Sequence, residues 1–179
     1  IVGEKVLLCP CVKANAYGHG LVQCSQIFIE AGADWLSVNS VYEARVLREA
    51  GVLVPIYILG YVPLDCLAEV ADLNCRIVVY DLETISKLGE NSQQMKVHIK
   101  VETGNNRQGV LISDLVDFAK YIKSFENIEI EGLCTHFANI EDTTDHCYAE
   151  LQLCKFKEAA EELEKNGFTI AIKHCANSA

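Results

Sequence analysis

Val6-Leu7-Leu8-Cys9-Pro10-Cys11-Val12, followed by Lys13-Ala14-Asn15-Ala16-Tyr17-Gly18-His19-Gly20, decides the reading of the fold. An apolar run of strand length hands over to a lysine and then to a turn-rich stretch, as when a buried strand opens into a loop. The handover recurs. Trp35–Val38, Ile56–Leu59, Arg76–Tyr80, Val97–Val101, Ile128–Thr135 and Thr169–Lys173 are further short apolar runs, most of them near-continuous, as in strands buried on both faces.

Helical stretches lie between them. Ser40-Val41-Tyr42-Glu43 has the form of a capping box, with Val41, Ala44 and Leu47 on an apolar face and Glu43 and Arg48 on a polar one. Asp81 is placed to cap the next helix and Ser113 the one after. Leu151, Cys154 and Leu163 read as the apolar face of the last helix, with Glu161 and Lys165 paired on its opposite side. Alternating β and α elements imply a parallel sheet. Seven strand candidates could form a doubly wound sheet or most of a (β/α)8 barrel, which normally takes about 250 residues. No G-x-G-x-x-G follows any of them. An incomplete (β/α)8 TIM barrel over residues 1–179, with about seven of eight strands, is therefore expected.

Composition narrows the function. Half of the 179 residues are apolar and only 3 are proline, which suits a sizeable core and excludes a disordered composition. The net charge of −10, with no basic cluster, argues against a nucleic-acid footprint. No apolar span of about 18 residues suggests a membrane helix. Nine cysteines without a CxxC pair, several inside apolar runs (Cys9, Cys11, Cys75, Cys134, Cys175), read as small hydrophobes in a reducing cytoplasm. Cys9-Pro10-Cys11 has no partner cluster that would make it a metal site. Because the chain opens Ile1-Val2-Gly3, it reads as an internal fragment.

Chemistry on a barrel sits at the C-terminal ends of its strands. Lys13, Arg107, His136 and Asn177-Ser178 each follow a different apolar segment, so one rim is expected to gather an amine, a guanidinium, an imidazole and a hydroxyl. Singly, each has an ordinary reading: a lysine after a strand is commonly a solvated charge, a histidine a hydrogen-bonded structural group. Their recurrence at strand ends favours a site. Continued as a strand, Val6–Lys13 would put Cys9, Cys11 and Lys13 on one side and Val12 on the other. A lysine facing a crowded interior loses hydration, which favours the free amine needed for a Schiff base. Thr103-Gly104-Asn105-Asn106-Arg107-Gln108-Gly109 reads as a polar loop in which Arg107 offers a planar fork of donors.

These segments resemble the alanine racemases, enzymes that use pyridoxal 5′-phosphate (PLP). Val12-Lys13-Ala14-Asn15-Ala16-Tyr17-Gly18-His19-Gly20 resembles their cofactor-lysine signature. His98-Ile99-Lys100-Val101-Glu102-Thr103-Gly104 with Arg107 and Gly109, Thr135-His136-Phe137-Ala138, and His174-Cys175-Ala176-Asn177-Ser178-Ala179 agree in the same order. The resemblance implies that Lys13 holds PLP and serves as base on one face of the substrate Cα, interconverting L- and D-alanine. It implies that Tyr17, Asn177 and Ser178 bind the cofactor and its phosphate, and that Arg107 meets the phenolic oxygen. Lys100 matches a lysine often carbamylated in the family, which would hold Arg107; His136 would support an arginine that faces the pyridine nitrogen.

It further implies a homodimer whose partner subunit supplies a tyrosine to the opposite face, and a C-terminal β-domain beyond Ala179. On this view the fragment is inactive alone. Where the family usually has Gly-Met-Gly-Arg, this chain has Gly104-Asn105-Asn106-Arg107, which leaves a serine or broad-specificity racemase open. A PLP-dependent decarboxylase on a barrel also places Ala-Asn after its lysine, and a non-catalytic PLP-binding barrel has comparable length. The Tyr17-Gly18-His19-Gly20 and Ala176-Asn177-Ser178 segments favour the racemase.

Overall fold

The segment before Lys13 is the first place where structure and sequence reading part. The computed structural model describes Gly3, residues 5–141 and residues 144–177, so Ser178 lies outside the described residues. Val6–Val12 is not a strand. Ser37 N–H donates to Pro10 O (2.9 Å) and Val12 N–H to Ser37 O (2.8 Å), making one parallel bridge centred on Cys11. The adjacent rung would need an N–H on residue 10, and proline has none. Trp35 N–H still reaches Leu8 O at 3.1 Å, but the ladder is broken, and Val6, Leu7 and Leu8 stay exposed. Six strands are present among the described residues, one fewer than expected.

The chain divides into two compact units, one up to Val78 and one from Val79 on. In the first, a single turn, α1 (Lys13–Tyr17), precedes α2 (Leu21–Glu30), β1 (Leu36–Val38), α3 (Val41–Glu49), β2 (Ile56–Ile58), α4 (Leu67–Asp72) and β3 (Cys75–Val79), which ends at the division. β1, β2 and β3 pair in parallel, with Leu36 opposite Ile56 and Ile56 opposite Cys75. Their side chains are buried on both faces, together with Ala44 and Leu47 of α3. Ser40 caps α3 by accepting from Glu43 N–H at 3.3 Å, and Glu43 answers to the backbone of Ser40, so the capping box forms as its sequence implies.

The second unit runs α5 (Leu82–Gly89), β4 (Met95–Lys100), α6 (Leu115–Lys123), β5 (Ile128–His136), α7 (Cys147–Lys165) and β6 (Ile172–Ala176). β4, β5 and β6 are parallel, and a bulge in β5 shifts the register between Val97 and His98. Asp81 caps α5, accepting from Thr84 N–H at 2.7 Å. Ser113 does not cap α6: it lies in a 3-10 turn, Ile112–Asp114, and its hydroxyl donates to Asp114 instead.

The stripe that α7 buries also differs. It is Ala149, Gln152, Phe156, Ala159 and Leu163: Leu163 lies on it as expected, while Leu151 and Cys154 are exposed. Glu161 and Lys165 do pair, at 4.0 Å. The last strand starts at Ile172 rather than Thr169, because the left-handed turn at Gly167 (φ 84°) is followed by irregular backbone up to Ala171. Of the cysteines read as buried, Cys75 and Cys134 are; Cys9 is exposed, and Cys11 and Cys175 are half-buried.

Candidate active site

Lys13 opens a turn wound the wrong way for L-amino acids. Ala14 (φ 53°, ψ 48°), Asn15 (57°, 41°) and Ala16 (52°, 48°) are left-handed, and Tyr17 follows at φ 54°. Such backbone costs roughly 1–2 kcal/mol per residue, so it persists only where neighbours over-determine it. Here they do. Ala16 N–H donates to Val12 O (2.8 Å) and Gly20 N–H to Asn15 O (2.9 Å), while the Asn15 side chain accepts from Leu21 N–H (2.8 Å) at the start of α2. From α3, Glu43 Oε1 accepts Ala14 N–H at 2.7 Å, and Oε2 takes Asn39 N–H at 2.7 Å and Ser40 N–H at 3.2 Å. One carboxylate thus caps a helix and holds the strained turn.

The consequence is a lysine on a rigid support. Val12 is wholly buried and Lys13 half-buried, so the crowded interior expected for the amine belongs to Val12. A broken strand explains this, since period-2 alternation does not continue into a left-handed turn. Tyr17 is exposed, with its hydroxyl donating to Cys11 Sγ at 3.7 Å.

In the second unit, β4 runs into a loop closed by a bridge between Val101 and Val110. Glu102 N–H donates to Val110 O (2.9 Å) and Val110 N–H to Lys100 O (2.8 Å), and Glu102's carboxylate accepts from Gly104 N–H. Gly109, at φ 148°, lies so close to this closure that a Cβ would come within 2.5 Å of Glu102 N. Arg107 is exposed on the loop. Lys100 is buried, and its Nζ donates to Gln108 Oε1 (3.2 Å), whose amide donates on to the Tyr80 hydroxyl (2.9 Å). Lys100 thus meets Gln108, the residue that follows Arg107 in the loop.

A buried amide of α7 aligns the strand ends. Gln152 Nε2 donates to Thr103 Oγ1 and to His136 O, both at 3.2 Å, and its Oε1 accepts from Ala138 N–H at 2.8 Å. Thr103 and Thr135 hydroxyls meet at 2.8 Å, and Thr135 donates to Val101 O at 2.9 Å. His136 is half-buried at the end of β5. After β6, Asn177 Nδ2 donates to Glu141 Oε1 at 2.9 Å. Glu141's own backbone N–H, and then those of Ile140 and the Asn177 amide, hold that carboxyl below its usual range. Asn177 thus already serves an anion.

Sequence reasoning missed a column of titratable groups. Lys96, His98 and Lys100 alternate with Val97, Ile99 and Val101 along β4, so one face of a strand buried on both sides is polar. Lys96 Nζ meets Glu131 Oε1 at 3.0 Å; Glu131 Oε2 lies 3.3 Å from His98 Nε2; His98 Nδ1 lies 2.9 Å from His174 Nε2 on β6. Burial, then the neighbouring His98 and Lys100, push His174 down from 6.5 to about 4. The strict alternation of Lys96 to Lys100 was the available signal, because a two-face-buried strand has no solvent side for such residues. Gln152 had a similar one: a polar residue inside an apolar helical stripe.

The family profile described as "Alanine racemase, N-terminal domain" matches residues 1–179. Curated relatives agree: this chain is 42% identical to an alanine racemase of Methanococcus maripaludis, aligning over 100% of its own length and 49% of the relative's. With that of Desulfovibrio desulfuricans it shares 37% identity, over 97% and 47%. The chain spans about half the length of the curated relatives it matches. An alanine racemase structure from Clostridium difficile superposes with a TM-score of 0.93 at 31% identity, covering 98% of this chain and 50% of that one. One from Bacillus anthracis, with bound L-Ala-P, gives 0.91 at 34%, covering 99% and 47%. The fold is accordingly the incomplete (β/α)8 barrel expected from the order of elements.

Proposed function

Because the chain belongs to the alanine racemase family, we propose that it is the lysine-bearing part of a PLP-dependent racemase that interconverts L- and D-alanine. The observation that carries this is Lys13 at the head of the strained left-handed turn, within a chain matched end to end by that family's N-terminal domain. Strained backbone held by so many partners is characteristic of functional sites.

The donor set suits PLP: an amine for the cofactor's carbonyl carbon, and a phenol, a guanidinium and an amide for its anionic oxygens. When bound, PLP supplies an electron sink that makes the Cα proton of an amino acid removable. Lys13 Nζ holds the cofactor and carries the proton to and from Cα on its own face. Tyr17 and Ser178 serve the phosphate and Asn177 the cofactor; Arg107 serves the phenolic oxygen. In the structure the Asn177 amide is bound to Glu141, so phosphate has to share that amide or displace the carboxylate. Lys100 and Gln108 set the loop from which Arg107 projects, and His136 is kept in place by Gln152. Inversion at Cα needs a proton donor on the opposite face, which the family pattern supplies as a tyrosine of a partner subunit in a homodimer.

We place the protein in the cytoplasm. Among the described residues no helix is long and apolar enough to cross a membrane. Residues 1–179 by themselves have one catalytic base and are expected to be inactive. The test uses the full-length protein: incubated with PLP and borohydride it should carry the reduced cofactor on Lys13 by peptide mapping, and with L-alanine in deuterated water it should yield D-alanine labelled at Cα. Label on another residue, or carbon dioxide without D-alanine, overturns the proposal. L-Serine run in parallel measures the breadth that Asn105 and Asn106 leave open.

A further inference from the structure

We infer that Glu131, His98 and His174 form a one-way hydrogen-bond relay that positions β6, and with it Asn177, for cofactor binding; the last step rests on the racemase reading above. The relay has its own geometry. His98 on β4 and His174 on β6 are separated by β5, yet their ring nitrogens meet at 2.9 Å with ring centroids 5.1 Å apart. They can do so because residue 132 is glycine. A Cβ there would stand 2.4 Å from His98 Nδ1 and 2.6 Å from its Cε1, so the imidazole occupies the space a side chain would take. The bulge in β5 supplies the other half. The register steps from Val97 opposite Ile130 to His98 opposite Gly132, so Glu131 is the extra residue, and its carboxylate reaches His98 Nε2 at 3.3 Å. Bulges commonly re-aim one side chain in this way.

The direction of the relay follows from charge. Glu131 pairs with Lys96 at 3.0 Å through one carboxylate oxygen and offers the other to His98, so His98 Nε2 carries the proton that faces it. A neutral His98 with its proton on Nε2 presents Nδ1 as an acceptor. His174 must then donate from Nε2, which fixes its tautomer and leaves its Nδ1 as an acceptor. Three residues further on is Asn177. Among the described strands β6 pairs only with β5, so this side-chain bond is a second tie on it, made directly to the strand that ends at Lys100.

Two measurements on the full-length protein test the relay. Nitrogen-15 NMR of selectively labelled histidines, assigned with the variants below, should show His98 and His174 both neutral and protonated on Nε2 at neutral pH. A proton on Nδ1 of either ring overturns the relay whether or not PLP binds. The second is a PLP titration followed by absorbance, at a temperature where circular dichroism shows each variant folded. His98→Leu should weaken PLP binding about tenfold, the equivalent of one buried hydrogen bond. His98→Asn, whose amide oxygen can still accept from His174, should stay close to the parent. Gly132→Ala, which pushes the ring aside without removing it, should resemble His98→Leu. PLP affinities equal to the parent in folded His98→Leu and Gly132→Ala overturn the positioning role. A parent protein that does not bind PLP refutes the cofactor reading instead, and the NMR result alone then decides the relay.

Discussion

Acidification should expose the half-buried histidine of β6. Folding lowers His174 from 6.5 to about 4, through burial first and the nearby His98 and Lys100 next. The unfolded chain therefore binds the proton more readily than the folded one, and the stability that depends on a neutral His174 is complete above the unfolded value. It drains away as pH falls from about 6.5 toward 4, then levels off. A difference of about 2.5 units at about 1.4 kcal/mol each gives a total near 3.5 kcal/mol, of which about 2 kcal/mol is already lost at pH 5. The perturbation that isolates it is His174→Gln, whose amide N–H can stand in for Nε2–H toward His98 without titrating. Urea midpoints of the full-length parent and variant, measured at intervals between about pH 7 and pH 4, should diverge, with the parent losing more. Parallel profiles would refute the reasoning, since the other titrating groups are common to both proteins.

Two substitutions probe the supports of the candidate site. Glu43→Ala removes a cap and the acceptor of Ala14 N–H together, and should cost about 2–3 kcal/mol in denaturant unfolding, above the ~1 kcal/mol typical of a cap alone; a loss at the cap value would mean that the left-handed turn does not depend on α3. Gly109→Ala meets backbone atoms within 2.5–2.9 Å at φ 148°, and should cost at least about 2 kcal/mol and raise susceptibility to proteolysis within residues 102–110; a neutral effect would show that the loop closure yields easily.

Much of the fold was legible because its cues are local. Ser40 and Glu43 lie within one helical turn, as do Asp81 and Thr84, and both caps formed. Strands β1 to β3 fall on apolar runs because burial on both faces leaves a near-continuous signature. Errors arose where a local cue met a distant partner. Val6–Val12 has strand composition, but a single missing N–H at Pro10 breaks its ladder against Ser37 and Trp35. Leu151 and Cys154 are as apolar as Phe156, yet α7 turns Gln152 inward because Thr103, His136 and Ala138 need its amide.

The candidate site divides along the same line. Lys13, Arg107, His136 and Asn177 stand out in sequence by residue type and by their places after apolar segments, and Tyr17 only through the family resemblance. Residues that hold them could not stand out. Glu43 reads as a helix cap and nothing more, Gln108 as a loop amide, and Gly132 as a weak point in a strand. Sequence alone determined the order of elements after Lys13, the helix caps at Ser40 and Asp81 and the residues able to do chemistry, since these depend on neighbours within a few positions. Only the tertiary structure decided the left-handed turn under Lys13, the answer of Gln108 to Lys100 and the path from Glu131 through His98 to His174. Each of these depends on contacts that no local pattern announces, and their energy exists only once folding has brought donor, acceptor and burial together.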